Sequence, residues 1–264
     1  MGSMLCMQEA IMFGSRTKTH SQFEQVSEKN YIWRSADKNF FYYDKDSETR
    51  VPLPEGAKLI PLTTTNSITG IRERDHGKAT QRFNQIFSNE FTDYKDEIVR
   101  VRENDRLDGT KTVLFEGVYS PTVRDAISGV QWCKFTKNVY CLLDGEVVKL
   151  SLSGSSLTSW IEFEDKCKKD RVYLVDGHCI TLGESSERKT GSVSYNAPTF
   201  ELGDISDEEN TEADKMAAIV EEKIARNKAA TGTVETVAQV PTPKAETAEE
   251  PSDSAEINLD EVPF

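Results

Sequence analysis

Asn138-Val139-Tyr140-Cys141-Leu142-Leu143-Asp144-Gly145-Glu146-Val147-Val148-Lys149-Leu150-Ser151 sets an Asp-Gly pair between two runs of β-branched, aromatic and aliphatic residues. Asp-Gly supplies the positive φ angles of a two-residue type I′ turn, so the stretch predicts a β-hairpin. Asp176-Gly177 predicts a second hairpin over Arg171 to Leu182 by the same logic. Outward from these, further strands are expected at Tyr31 to Arg34, Phe40 to Tyr43, Lys58 to Leu62, Ser67 to Arg74, Glu97 to Arg102 and Thr112 to Tyr119. A short helix is expected around Ser156 to Phe163. Helical periodicity is otherwise scarce from Asn30 to Phe200, so the body reads as mainly β, a barrel or small sandwich rather than βαβ units. With 37% hydrophobic and 9% aromatic residues in 264, the chain can fill one sizeable core or two small ones.

Beyond Phe200 the character changes. Ser206-Asp207-Glu208-Glu209 matches the Ser-x-x-Glu capping box that opens a helix. Ala213, Met216, Ala217, Val220 and Ile224 then recur at three- and four-residue steps, a narrow apolar stripe best satisfied by packing on its own domain. Residues 229–255 are almost free of large apolar side chains and rich in Ala, Thr, Glu and Pro, too poor in burial to offset the entropy of ordering. The expected layout is an N-terminal extension (1–29), a β-rich body (30–200), an amphipathic helix (201–228), a disordered linker (229–255) and an acidic tip (256–264).

Net charge is −13, yet it is unevenly placed: residues 201–264 hold 17 acids against 5 bases, and the first 200 hold 28 against 27. A nearly neutral body permits a basic groove. No apolar run reaches the roughly 20 residues of a membrane span and the N-terminus lacks signal-peptide order, so a cytoplasmic protein is expected. Cys6, Cys133, Cys141, Cys167 and Cys179 are odd in number and unpaired in spacing, which favours reduced thiols. Zinc held by Cys133, Cys141, Cys167 and His178 or Cys179 is the sharper alternative, but structural zinc sites usually bring closely spaced ligand pairs. Neither metal nor cofactor is expected.

The chain closes on Glu256-Ile257-Asn258-Leu259-Asp260-Glu261-Val262-Pro263-Phe264, where apolar residues return with no core to join. Leu259-Asp260-Glu261-Val262-Pro263-Phe264 resembles the acidic C-terminal peptide of bacterial and phage single-stranded DNA-binding proteins, an acidic run followed by Ile-Pro-Phe. The resemblance implies an OB-fold body and a tip that binds replication, recombination and repair enzymes. Phe264 would supply ring and terminal carboxylate, Pro263 a fixed backbone, Val262 the place of the Ile, and Asp260 and Glu261 the acids. Such capture of a C-terminus needs no prior folding of the peptide.

Single strands are held by aromatic rings stacking on bases beside cations that track phosphates. The candidates are Trp33, Lys38, Phe41 and Tyr43; Arg72 with Arg74 and Arg100 with Arg102, each pair on one face of a strand; and Trp132, Lys134, Lys137 and Tyr140. A β protein also needs aromatics inside, and Trp132, Trp160 and Phe163 read equally as core. The expectation is a non-catalytic binder of single-stranded DNA, with self-association into a homo-oligomer left open. One alternative is an adaptor that offers the tip without binding DNA. The other is a nucleic-acid-processing enzyme, for which His76, His178 and Ser153-Gly154-Ser155-Ser156 lack the surrounding motif of any common hydrolase.

Overall fold

The computed structural model describes residues 26–73, 83–92, 97–105, 108–118 and 133–232. Its elements are β1 (Val26–Arg34), β2 (Asn39–Asp44), β3 (Thr49–Pro52), β4 (Ile60–Glu73), β5 (Phe83–Ser88), β6 (Ile98–Asn104) and β7 (Lys111–Val118), then β8 (Lys134–Leu143), β9 (Glu146–Leu152) and α1 (Ser155–Lys169). β10 (His178–Leu182), β11 (Ser186–Thr190), β12 (Val193–Ala197), β13 (Phe200–Asp204) and α2 (Asp207–Gly232) complete them. The fold is mainly β, as expected. Nine strands join in the order β3-β2-β1-β9-β8-β4-β5-β6-β7, mixed because β1 runs parallel to β9 while the other neighbours are antiparallel. This sheet is open, with β3 and β7 at its edges, so no closed barrel forms among the described residues.

The hairpin at Asp144-Gly145 forms as read: the two residues have φ of 50° and 80°, and Leu143 faces Glu146 across the turn. The one expected at Asp176-Gly177 does not. β10 pairs instead with β13, because α1 runs to Lys169, well past the expected Phe163, and then closes with a Schellman motif. Arg171 adopts φ 58°, with its N–H on the Lys168 carbonyl at 3.1 Å and the Val172 N–H on Cys167 at 2.9 Å. Val172 and Leu174 pack inward from the loop that follows, and no strand is left to pair.

The two strands expected at Lys58 to Leu62 and Ser67 to Arg74 are one, β4, continued through Thr63, Thr64 and Thr65. Pro61, which has no N–H to give a central strand, sits where the β4–β8 register shifts. The body also reaches past Phe200: Glu201–Asp204 belong to β13, and the helix begins only at Asp207. Its capping box is made as read, with the Ser206 N–H donating to Glu209 Oε2 at 2.8 Å and the Glu209 N–H to Ser206 Oγ at 3.2 Å. Of the expected tail, residues 233–264 lie outside the described ones.

Burial falls into three clusters. Ser156, Trp160, Phe163 and Cys167 form the inner face of α1, and the last three pack with Tyr31, Phe40, Val139 and Leu150, so Trp160 and Phe163 are core residues. On the opposite side of the sheet, Ala213, Met216, Val220 and Ile224 of α2 pack on Ile60, Leu62, Leu142 and Val147. The helical stripe therefore joins its own domain, as its periodicity predicted. Ile68, Ile86, Phe91, Val99 and Val101 form the third cluster. Cys141 and Cys167 lie in the first cluster, Cys179 in the second and Cys133 beside the third, so the candidate zinc ligands are dispersed. No helix of the described residues is long and apolar enough to cross a membrane.

Candidate nucleic-acid interface

Residues directly opposed in neighbouring strands share a face, and so do residues two apart along one strand. Following the register from Phe41 gives Ile32 on β1, Ser151 on β9, Asn138 on β8, Thr65 on β4, and through Thr69 to Phe87 on β5 and Arg102 on β6. Of the twelve DNA-binding candidates, Phe41, Tyr43, Lys134, Tyr140, Arg100 and Arg102 fall on this one face. Trp33 and Lys137 fall on the other: the Trp33 indole donates to the Asn196 carbonyl at 3.0 Å and meets Phe40 edge-on, while Lys137 is ion-paired with Glu164 of α1. Both are structural ties, not free contacts. Lys38 is exposed in the β1–β2 turn with φ 52°. Arg72 lies on β4 in register with Asn84, and Arg74, Trp132 and the tip residues Asp260 to Phe264 lie outside the described residues.

At one end of the shared face, β1, β2 and β3 present Ile32, Phe41 and Pro52 in one row and Tyr43 opposite Arg50 in the next. Phe40 and Tyr42 turn the other way into the core, which is why their neighbours Phe41 and Tyr43 join none of the three clusters. Tyr43 is 48% exposed, and neither Arg50 nor Lys38 has a carboxylate partner among the described residues.

The middle of the face is polar and closed. Asn138 donates to Ser67 Oγ at 3.1 Å, and Ser151 donates to Asn30 Oδ1 at 2.7 Å, with Asn138 Oδ1 3.0 Å away. Beside this ladder, Glu90 accepts from Thr65 Oγ1 (2.7 Å), Tyr140 OH (2.8 Å) and Lys149 Nζ (3.0 Å). Burial pushes the Glu90 carboxyl up, but the Lys149 charge and the three hydrogen bonds outweigh it and hold it below the usual range. Burial and the adjacent Glu90 push the Tyr140 phenol well above its usual value. Tyr140 thus anchors α2's cluster instead of offering a ring to solvent.

At the far end, Arg100 is buried and bound through Nε (2.9 Å) and Nη2 (2.6 Å) to Glu116, whose carboxyl this hydrogen bonding holds low. Arg102, two residues on, is opposed by Phe87 and has no ion-pair partner among the described residues. Both arginines line a cleft of about 230 Å³ that Ile224, Asn227 and Lys228 of α2 wall on the other side. Lys228 is held by Thr92 and Glu97, both at 2.9 Å.

Arg50 and Phe87 were absent from the sequence candidates. Arg50 alternates with Thr49 and Val51 in a strand of four residues, too short to announce itself, and Phe87 is one of several spaced aromatics whose face only the register decides. Among the enzyme candidates, His178 Nδ1 lies 3.1 Å from Asp204 Oδ1, Ser156 Oγ donates to the Ser153 carbonyl at 2.9 Å, and His76 lies outside the described residues. No family model, no curated protein and no solved structure matches the chain.

Proposed function

We propose that the chain binds single-stranded DNA without catalysis, using the sheet face that bears Phe41, and recruits replication, recombination or repair enzymes through Asp260, Glu261, Val262, Pro263 and Phe264. The carrying observation is the segregation of aromatics: Phe41, Tyr43 and Phe87 stand on one face outside every hydrophobic cluster, in company with Arg50, Lys134 and Arg102. Rings outside the hydrophobic clusters of the described residues, beside cations with no ion-pair partner among those residues, are what a stacked, sequence-tolerant single strand requires. Duplex DNA hides its base faces and would use the cations alone.

Fluorescence anisotropy with a labelled oligo(dT) and a duplex of equal length tests this on the full chain. Replacing Phe41 and Tyr43 together with Ala should weaken single-strand binding at least about tenfold, since stacking contributes about 1–3 kcal/mol per base. Equal affinity for duplex would reject the proposal, and no binding to either at low salt would reject it and leave the adaptor.

A further inference from the structure

We propose that Phe87 and Arg102 form a subsite for one nucleotide unit of the bound strand, with the C-terminal half of α2 as its outer wall; this rests on the DNA-binding reading above. Phe87 and Arg102 are directly opposed on β5 and β6, so ring and guanidinium project side by side into the same cleft. The cleft, about 230 Å³, is close in size to a base with its phosphate.

The other polar groups that line it, Asn227 of α2 among them, are already engaged. Asn89 donates to the Ile98 carbonyl at 3.0 Å and accepts the Arg100 N–H at 2.6 Å, and Ser88 donates to the Asn89 carbonyl at 2.7 Å. Glu90 is saturated by Thr65, Tyr140 and Lys149, while Arg100 and Lys228 are bound to Glu116 and Glu97. Arg102 influences the Glu116 carboxyl through its charge but makes no hydrogen bond to it. The chemistry left over is one planar cation and one aromatic ring, which suits a phosphodiester monoanion and its adjoining base. An apolar peptide would leave Arg102 unanswered, and a bare anion would leave Phe87 without a role. Because α2 closes the cleft, the helix that leads into the acidic tail is also part of the DNA-binding surface.

The test has two arms on the full chain. In oligo(dT) titrations across salt, Arg102→Ala should reduce the slope of log affinity against log salt by about 0.7, one phosphate contact on a single strand. Phe87→Ala should leave the slope unchanged while lowering affinity about tenfold. In the second arm, wild-type protein is photo-crosslinked to an oligonucleotide carrying 5-iododeoxyuridine, and the adduct is mapped after trypsin to the peptide 83–95. Wild-type binding with unaltered variants and no adduct on that peptide would overturn the subsite and leave the DNA-binding reading standing. No binding by wild type at any salt would overturn both. Loss of the adduct to millimolar dTMP, with both variants binding oligo(dT) normally, would reassign the cleft to free nucleotides and overturn it for the strand.

Discussion

Lys58, just ahead of β4, and Glu209, in the first turn of α2, meet through hydrogen bonds of 2.7 and 2.9 Å across 151 positions of chain. Glu209 is also the reciprocal half of the Ser206 capping box, so one carboxylate both starts the helix and docks it. Its charge is favoured there: the Lys58 hydrogen bond, then the Ser206 N–H, hold its carboxyl below the usual range.

The docking predicts where the chain can be cut. Ending it after residue 200 removes α2 and most of β13, exposing Ile60, Leu62, Leu142 and Val147 and stripping β10 of nearly all its β13 partners, with the Leu59–Ile180 bridge remaining. That fragment should aggregate or unfold, whereas one ending at residue 232 should stay monodisperse in size-exclusion chromatography with an unchanged melting temperature. Equal behaviour of the two would show that α2 is dispensable.

Ser206→Ala should destabilise the protein by about 1 kcal/mol, the usual cost of losing an N-cap oxygen. Urea unfolding monitored by circular dichroism reads this directly, with Ser206→Asp as the variant expected to restore most of it.

Glu90 predicts a pH dependence of defined sign. Its folded carboxyl titrates below the usual value, so its contribution to stability is complete above the unfolded value of about 4.3 and is lost as pH falls through the folded one. Glu90→Gln should cost about 2 kcal/mol at pH 7 by leaving Lys149 without its charge partner. The gap between variant and wild type should narrow in urea titrations below about pH 4. A gap constant from pH 7 to pH 3 would contradict the assignment.

Gly145 has open space where a Cβ would stand, so only its φ of 80° opposes substitution. Gly145→Ala should therefore cost about 1–2 kcal/mol from backbone strain alone, and denaturant titration should give a lower midpoint at unchanged slope.

Phe264→Ala should abolish partner capture in pull-downs while leaving oligo(dT) affinity nearly unchanged, with a loss of about 2 kcal/mol or more typical of an aromatic anchor. Identical partner sets for wild type and variant would reduce the tip to a solubilising end.

Where local chemistry decides structure, the sequence was a sufficient guide. Asp144-Gly145 specified its turn, Ser206 and Glu209 specified a helix start, and Met216, Val220 and Ile224 specified the buried side of α2. Where the outcome depends on a distant partner, it was not. Arg171 could take a left-handed helix end or open a strand, and the packing of Val172 and Leu174 on the core fed by α1 settles which. β11, Ser186-Glu187-Arg188-Lys189-Thr190, has no apolar alternation at all and exists through pairing with β12 and the bond of Arg188 to Glu162. The candidate interface divided in the same way. Alternation placed Arg100 with Arg102, but only the full register could separate Phe41 from Trp33 or supply Phe87.

The parallel pairing of β1 with β9 joins Asn30 to Ser151, 121 positions apart. During synthesis β1, β2 and β3 can pair locally as soon as they emerge, but the edge of β1 destined for β9 stays open until that strand exists. At about 5–20 residues per second the wait is roughly 10 s. For that interval the nascent protein carries an unprotected strand edge, and the newly emerged β9 of a copy further along on the same message is complementary to it. Exchange of the first three strands between copies is thus a hazard of translation and not of the finished molecule, and it should grow with the density of ribosomes on the message.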